Sequence, residues 1–337
     1  MEKDFSLKKL NTFGIGAIAR EYVRITTTGE LKSFILSGIP ENRLIIGGGS
    51  NLLFTGNPDG MIIHPDIKGI SILRQDEESA DIAAACGENW DSFVGYCCRN
   101  EFSGLENLSL IPGNVGAAPV QNIGAYGVEA KDRILWVEGL DLETGEFQRM
   151  RREDCHFGYR TSIFKQEMSN RFIITTVAFR LDKKPRFVLS YGNVEEEFSK
   201  IKPQNSATLR ECIIQIRKSK LPDPEIFGNA GSFFKNPVIS HIRFSKLKAM
   251  FPGIPSYPDG QCIKIPAAWL IEKAGWKGVK EKNTGTWPAQ PLVIVNYGNA
   301  TGSEIFEFSR KIMNAVREKF GIELEREVKV IQEIRNS

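Results

Sequence analysis

Two glycine-rich segments contain the residue types best suited to holding a ligand. Residues 112–127 read PGNVGAAPVQNIGAYG, and residues 43–54 read RLIIGGGSNLLF. Glycine lets the backbone approach a ligand closely and adopt positive φ, and successive exposed amides in such a loop form a concavity that binds a pyrophosphate. One such stretch alone is usually a surface loop punctuated by turns. Two in one chain favour a site for a large dinucleotide.

A Rossmann site is not expected. GIGAIA at 14–19 matches the G-x-G-x-x-A pattern, but no apolar strand precedes it, and AREYVRIT at 19–26 predicts a strand rather than a helix. GGGSN at 47–51 is also followed by an apolar run, LLF, and not by a helical pattern. We therefore expect a turn at 14–19 and a dinucleotide held outside the Rossmann scheme.

FGYRTSIFK at 157–165 places Arg160 among aromatic and hydroxyl residues. An arginine in a partly buried site can bind an anion through both arms of its guanidinium group. The alternative is an exposed arginine on a strand.

GNAGSFFKNP at 228–237 places Ser232 directly before Phe233 and Phe234. A serine at the mouth of an apolar pocket can exchange a proton with a substrate, although most serines in such turns are structural. No GxSxG elbow surrounds Ser232. If Ser232 is catalytic, proton donation is favoured over nucleophilic attack.

ELEREVKVI at 323–331 predicts a strand with Glu325 and Glu327 on the same side. Paired carboxylates on one face are usually solvated. They matter for chemistry only if the other motifs converge there.

Composition excludes several classes of protein. The 337 residues are enough for about two domains, and 44 basic against 41 acidic residues give no overall field for nucleic acid. No apolar run reaches the length of a membrane-spanning helix, and the charged start does not resemble a secretory signal. Six cysteines without a CxxC pair favour a reducing cytoplasm over a disulfide framework. Three widely spaced histidines predict no metal site.

The predicted elements are mixed. Capping boxes and apolar periodicity predict helices at 27–37, 90–101, 206–219, 266–275 and 303–320. β-branched or alternating runs predict strands between them, including a hairpin that turns at Thr144–Gly145. No regular βαβα alternation is visible, so the α+β class is favoured. LPDP at 221–224 is extended and predicts a domain boundary.

Taken in chain order, these strings resemble the UDP-N-acetylenolpyruvoylglucosamine reductases, the MurB family. The resemblance runs from NTFGIG at 11–16 through both glycine-rich segments, FGYRTSIFK and LPDP to GNAGSFFKNP and EREV at 325–328. It therefore covers essentially the whole chain. YGNV at 191–194 and the length resemble the longer variant of the family, in which a tyrosine lies on a loop over the substrate.

The resemblance implies an architecture. The FAD-binding region would be of the vanillyl-alcohol-oxidase type, in two subdomains, with a smaller α+β domain for the substrate. The first subdomain would comprise 1–67 with 321–337, the second 68–221, and the substrate domain 222–320.

The resemblance also implies binding residues. FAD, held without a covalent bond, would contact Gly47, Gly48, Gly49, Ser50, Asn51, Pro112, Gly113, Gly116, Ala117, Gln121, Gly124 and Tyr126. The substrate would contact Tyr191, Lys220, Asn236 and Gln290. Some relatives carry serines where this chain has Ala117 and Ala118, so the pyrophosphate would depend more on backbone amides here.

The implied reaction is the NADPH-dependent reduction of UDP-N-acetylglucosamine enolpyruvate to UDP-N-acetylmuramate, a step of peptidoglycan precursor synthesis in the cytoplasm. NADPH would reduce the flavin, whose N5 then delivers hydride to the enolpyruvyl ether. Arg160 would contact the substrate carboxylate and stabilise the charge that develops beside it. Ser232 would protonate the resulting carbanion. Glu327 would act with the arginine, whereas Glu325 has no implied role.

Two rival functions are weighed against this one. A flavin oxidase of the same fold would tether its flavin through a residue such as His64 or Cys155, although neither lies in a glycine-rich loop. A redox-silent protein that binds UDP-sugars would lack flavin altogether, and the intact glycine-rich loops argue against it.

Overall fold

The computed structural model describes residues 1–331. The strands, numbered along the chain, are β1 (Glu2–Ser6), β2 (Ile18–Ile25), β3 (Arg43–Ile45), β4 (Leu52–Phe54), β5 (Met61–Pro65), β6 (Ile70–Gln75), β7 (Ser79–Ala85), β8 (Gly124–Ala125), β9 (Val128–Glu129), β10 (Ile134–Asp141), β11 (Phe147–Arg151), β12 (Phe172–Asp182), β13 (Gly228–Ser232), β14 (Val238–Ser240), β15 (Tyr257–Asp259), β16 (Cys262–Lys264), β17 (Lys280–Glu281), β18 (Thr284–Trp287), β19 (Gln290–Asn296) and β20 (Lys329–Ile331).

The α-helices are α1 (Thr28–Leu36), α2 (Trp90–Arg99), α3 (Val194–Ser199), α4 (Ser206–Lys220), α5 (His241–Met250), α6 (Ala267–Lys273) and α7 (Gly302–Phe320). Short 3-10 turns lie between several of these elements. Within residues 1–331, no helix has both the length and the apolar character that crossing a bilayer requires.

The chain divides into two compact units. The first comprises Met1–Phe5, Ala19–Gly49 and Asp59–Arg217; the second comprises Ser6–Ile18, Ser50–Pro58 and the chain from Lys218 onward. The boundary between Arg217 and Lys218 falls shortly before the predicted LPDP boundary. The finer division into three parts stays a prediction, and its 321–337 segment extends beyond the described residues.

The first unit contains a four-stranded sheet in the order β1-β2-β5-β3. β2 and β3 both pair with β5 in parallel, and α1 connects β2 to β3, so one β-α-β crossover does occur. Thr27 caps α1 by accepting a hydrogen bond from the Glu30 amide at 3.0 Å. Leu31 of α1 is fully buried against Ile25 and Ile63 of the sheet.

The first unit also contains a five-stranded antiparallel sheet in the order β11-β10-β12-β7-β6. The predicted hairpin between β10 and β11 is confirmed, because Gly145 has φ +71° and its amide donates to Asp141 O at 2.8 Å. α2 packs its Trp90 and Phe93 against Phe179 of β12, with ring centroids 5.8 and 5.2 Å from that ring. This core supports the 112–127 segment.

The second unit contains a four-stranded sheet, β13-β19-β18-β17, a three-stranded sheet, β14-β16-β15, and the parallel pair β20-β4. α7 is capped by the predicted box of Thr301 and Glu304 and ends at Gly321 with φ +64°. Its apolar stripe is buried as predicted, namely Ile305, Phe308, Ile312, Val316 and Phe320.

The predicted helices are all present, whereas α3 and α5 are not predicted. α5 buries only Phe244 and Leu247, so its apolar periodicity is weak. α3 has six residues, too few to give a periodic signal. The predicted strand at 323–331 is shorter in the structure, where β20 begins at Lys329.

Candidate functional site

The two glycine-rich segments meet in the first unit. A Cβ atom added at Gly48 would lie 2.6 Å from Asn114 Oδ1 and 3.2 Å from Gly113 Cα. At Gly47 it would lie 3.8 Å from the Cβ of Ala117. Real side chains do not approach as closely as the Gly48 position demands. A larger residue at position 48 would therefore have to displace the Asn114 side chain and shift the Gly113 backbone by a few tenths of an ångström.

The 112–127 segment is fixed by its own backbone contacts. The Gly116 amide donates to Cys86 O at 2.9 Å, and Gly113 O accepts from the Trp90 amide at 3.0 Å. Gly116 also lies so close to Cys86 that a Cβ would be 2.5 Å from the Cys86 Cβ. Asn114 Nδ2 donates to Gly87 O at 3.1 Å. Because the loop is anchored to the β7–α2 connection, its free surface has a defined shape.

This arrangement fits the pyrophosphate of a dinucleotide. Among the described residues, no protein acceptor is found for the consecutive amides of Gly47, Gly48 and Gly49. Gly49 has φ +62°, a conformation in which neighbouring amides can point to one anion. Pro112 is exposed and Gln121 is half-buried on the second loop.

Arg160 lies in a turn, not on a strand, so the alternative of an exposed strand arginine is wrong. Its Nη2 donates to Gly124 O at 2.7 Å and its Nη1 to Asn122 O at 3.4 Å. A Cβ at Gly124 would lie 2.8 Å from Nη1. The guanidinium group is thus held against the glycine-rich loop.

Backbone strain is concentrated around this arginine. Asn122, Tyr126 and Arg160 have φ values of +45°, +48° and +56°, and each such conformation of a non-glycine residue costs about 1–3 kcal/mol. Asn122 Nδ2 donates to Gly158 O at 3.0 Å, and Ser162 Oγ donates to Val120 O at 2.6 Å. These bonds hold the turn on the loop despite the strain.

Two predicted ligand contacts, Tyr126 and Tyr191, touch each other. Their ring centroids are 6.0 Å apart at 87°, an edge-on contact. Burial raises the pKa of the Tyr126 phenol above its ordinary value, and the charge of Arg217 opposes that rise. Tyr191 remains 53% exposed, so its ring is accessible to a ligand.

Ser232 lies at the end of β13 in the second unit and is exposed. Pairing between β13 and β19 shifts register between Asn229 and Ser232, and Gly231 takes φ +67°. A bulge of this kind re-aims the side chain that follows it. Phe233 and Phe234 behind it are almost fully buried, which fixes the position of the serine.

Glu327 is brought beside Ser232 by the main chain. Its amide donates to Phe233 O at 2.9 Å, and Phe234 forms an isolated antiparallel bridge with Arg326. Its carbonyl accepts from Asn51 Nδ2 at 3.1 Å. The second unit therefore brings together Asn51, Ser232 and Glu327, three of the predicted site residues.

Glu325 forms an ion pair with Lys235. Its carboxyl group is largely exposed, with a side-chain exposure of 70%. The sequence prediction of a strand face carrying both glutamates is wrong, because both precede β20.

The predicted substrate residues of the second unit lie on different elements. Lys220 is the exposed last residue of α4, and Gln290 is the half-buried first residue of β19. Asn236 Oδ1 accepts from the Ala267 amide at 2.9 Å, so it caps the start of α6.

Sequence reasoning missed three residues that shape the site of the first unit. Asn114 contacts Gly48, Arg217 Nη2 donates to Leu110 O at 3.3 Å, and Asn107 Nδ2 donates to Tyr126 O at 2.8 Å. Burial lowers the pKa of Arg217 below its ordinary value. Asn114 lies inside the quoted loop, but nothing in the local pattern distinguishes the other two.

The tethers of the oxidase alternative are buried. The His64 ring is hydrogen-bonded through Nδ1 to Tyr22 Oη at 2.8 Å, and Cys155 is fully buried with its thiol donating to Arg151 O at 3.3 Å. Across residues 1–331, no group of three or more histidine, cysteine or acidic side chains could hold a metal ion.

Comparison with known families gives two matches. Residues 223–331 match the C-terminal domain of UDP-N-acetylenolpyruvoylglucosamine reductase, and residues 23–151 match a family described as an FAD binding domain.

Individual proteins match over nearly the whole chain. The chain is 44% identical to UDP-N-acetylenolpyruvoylglucosamine reductase of Flavobacterium johnsoniae, with 98% of this chain and 99% of the relative covered. The reductase of Amoebophilus asiaticus is also 44% identical, with the same shares covered. The crystal structure of the Thermus caldophilus reductase (MurB) superposes with a TM-score of 0.67 at 26% identity, over 97% of both chains. The predicted α+β fold with a vanillyl-alcohol-oxidase-type FAD-binding region is confirmed.

Proposed function

The chain belongs to the UDP-N-acetylenolpyruvoylglucosamine reductase family, and from that premise we propose that it uses NADPH to reduce UDP-N-acetylglucosamine enolpyruvate to UDP-N-acetylmuramate. As a member, it is an FAD-dependent oxidoreductase of peptidoglycan synthesis. The proposal includes three further points: NADPH is the reductant, the residues have the roles given below, and the protein acts in the cytoplasm.

FAD is held by both glycine-rich loops. Gly47, Gly48 and Gly49 offer backbone amides to the pyrophosphate, and Ser50 and Asn51 are further predicted contacts of FAD. The second loop contributes Pro112, Gly113, Gly116, Ala117, Gln121, Gly124 and Tyr126. The close approach of Gly48 to Asn114 supports this assignment, because it brings the backbones of the two loops next to each other. Bound FAD supplies a carrier that accepts hydride from NADPH and returns it to the substrate.

Arg160 binds the carboxylate of the enolpyruvyl group. Hydride addition at the outer vinyl carbon leaves negative charge on the carbon beside this carboxylate, and a fixed guanidinium group stabilises it. The hydrogen bonds from Arg160 to Asn122 O and Gly124 O support the role, because they fix the group before the substrate arrives.

Ser232 donates the proton that completes the reaction. A free hydroxyl is a weak acid, so it must be positioned by its neighbours, and such general-acid help is worth about 10²–10⁴-fold. The bulge in β13 and the buried phenylalanines provide that positioning. Glu327 acts next to the serine and assists at the carboxylate.

The remaining predicted contacts, Tyr191, Lys220, Asn236 and Gln290, bind the nucleotide part of the substrate. The exposed ring of Tyr191 and the positive charge of Lys220, an exposed residue, are suited to a uridine diphosphate. The three-part division predicted from the sequence places Gln290 and Asn236 in the substrate domain.

The meeting of the two glycine-rich loops at Gly48 and Asn114 is the observation that carries the proposal. Anaerobic stopped-flow spectroscopy tests it in two steps. NADPH must bleach the flavin of the purified protein, and the enolpyruvyl substrate must restore its absorbance with formation of the lactyl ether. A colourless protein that binds UDP-sugars would contradict the proposal and favour the redox-silent alternative. Equally fast reduction of the flavin by NADH would contradict the specificity for NADPH.

A further inference from the structure

Asn107 is a buried asparagine whose side chain joins two segments of the first unit. It lies in the 3-10 turn Glu106–Leu108, with 2% of its surface exposed. Its Nδ2 donates two hydrogen bonds of 2.8 Å, one to Tyr126 O and one to Val188 O. Both donors of one amide are therefore used on main-chain carbonyls of segments that are distant in sequence.

Each of these two segments carries one of the contacting tyrosines. Tyr126 is the second-last residue of the glycine-rich segment 112–127, and Val188 lies three residues before Tyr191. Between them, Gly127 has φ +82°, and a Cβ added there would be 3.3 Å from Val188 Cγ1 and 3.7 Å from the Tyr191 Cβ. The segments pack closely at the point where Asn107 joins them.

Two apolar side chains also attach the Tyr191 segment to the first unit. Phe187 and Leu189 pack against the apolar cluster of α3 and α4, which includes Phe198 and Ile213. Apolar packing of two side chains allows the segment to shift along the surface. A hydrogen bond to the Val188 carbonyl has a defined length and direction, so it fixes the position of the segment relative to the glycine-rich segment 112–127.

The turn that carries Asn107 is rigid. Glu106 accepts from Ser103 Oγ at 2.6 Å through Oε1 and from the Gly104 amide at 2.7 Å through Oε2. The Leu108 carbonyl accepts from the indole Nε1 of Trp90 at 2.9 Å. Asn107 is thus a fixed point from which both segments are held.

We propose that Asn107 is a positioning residue for the substrate: it holds the Tyr191 segment against the glycine-rich loop so that Tyr191 is placed to receive the nucleotide. The proposal rests on the proposed function, because it takes Tyr191 as a substrate contact. Asn107 acts through the carbonyls of Tyr126 and Val188, to which its amide donates.

Steady-state kinetics of Asn107→Leu test this role. The variant keeps the side-chain size but leaves both carbonyls without their donor, so KM for the UDP substrate should rise about tenfold while kcat changes by less than about threefold. Reduction of the flavin by NADPH should be unchanged. Asn100→Leu is the matched control, because Asn100 Nδ2 also donates to a carbonyl, Tyr96 O at 2.8 Å, but at the exposed end of α2.

A double-mutant cycle with Tyr191→Ala separates positioning from general stability. If Asn107 acts through Tyr191, its replacement in the Tyr191→Ala background should change KM by less than about twofold. Additive effects of the two changes, or a wild-type KM in Asn107→Leu, would overturn the proposal.

Limited trypsin digestion gives a readout that needs no turnover. Arg186 is exposed at the start of the segment, and cleavage after it should be at least about fivefold faster in Asn107→Leu, because local opening exposes the chain. Equal cleavage rates would contradict the proposal even if the enzyme had a different substrate, whereas faster cleavage in an inactive protein would refute only the proposed function. If Asn107→Leu does not fold, Asn107→Asp, which cannot donate to both carbonyls, is judged by the same KM and cleavage criteria.

Discussion

Gly48 and Asn114 are in contact across the two glycine-rich loops, with no room for a Cβ atom between the Gly48 backbone and Asn114 Oδ1. The contact joins segments that the sequence presents as separate. It also places the amides of Gly47, Gly48 and Gly49 next to the backbone of the second loop, an arrangement that can bind an anion.

Gly48→Ala should therefore weaken FAD binding by about tenfold or more. The new methyl group must displace Asn114 or the Gly113 backbone, and only the side chain can move at low cost. Titration of the flavin-free protein with FAD, followed by flavin fluorescence, measures the effect. Gly16→Ala is the control, because a Cβ at Gly16 meets nothing within 4 Å. An equal loss of FAD affinity in both variants would contradict the proposal that the two glycine-rich loops bind FAD.

Ser232→Ala should leave flavin reduction by NADPH near normal and slow reoxidation by the enolpyruvyl substrate by about a hundredfold or more. Only the second half-reaction needs the proton. Anaerobic stopped-flow spectroscopy resolves the two steps, with Ser256→Ala, an exposed serine of the same unit, as the control. If both half-reactions slow equally, Ser232 is not the proton donor.

Arg160→Lys should slow the same half-reaction by about tenfold or more. Lysine keeps the charge but loses the planar fork that donates to Asn122 O and Gly124 O. Arg152→Lys, which changes an exposed arginine paired with Glu153, should have no effect. If the flavin of the Arg160 variant is reoxidised at the wild-type rate, Arg160 has only a structural role.

Thiol reactivity should distinguish Cys262 from the other cysteines. Burial raises the pKa of Cys86 to about 11 and those of Cys98 and Cys155 to about 12. A thiol is protonated below its pKa, so at a pH of about 8 these three hold little of the reactive thiolate. Cys262 is only half-buried.

Iodoacetamide followed by mass spectrometry should therefore label Cys262 first in the folded protein and all six cysteines in denaturant. Labelling of Cys98 at the rate of Cys262 would show that α2 opens far more readily than its packing implies.

The sequence by itself determined the elements whose signals are local. The box of Thr301 and Glu304, the stop at Gly321 and the turn at Gly145 each depend on hydrogen bonds between residues at most a few positions apart, so the residues present are sufficient to specify them. The family resemblance, carried by long ordered motifs, predicts the site residues one by one.

Only the tertiary structure decided how those residues are held. A strand at Glu325 and Glu327 would need a neighbouring strand to pair with. In the structure β20 pairs with β4 only from Lys329 onward. The sequence around Arg160 is equally compatible with a strand. The structure places Arg160 in a turn, where its side chain donates to Asn122 O and Gly124 O. Contacts such as these, like the two bonds of Asn107, join segments far apart in the chain, and no local pattern specifies them because their free energy depends on how the intervening chain folds.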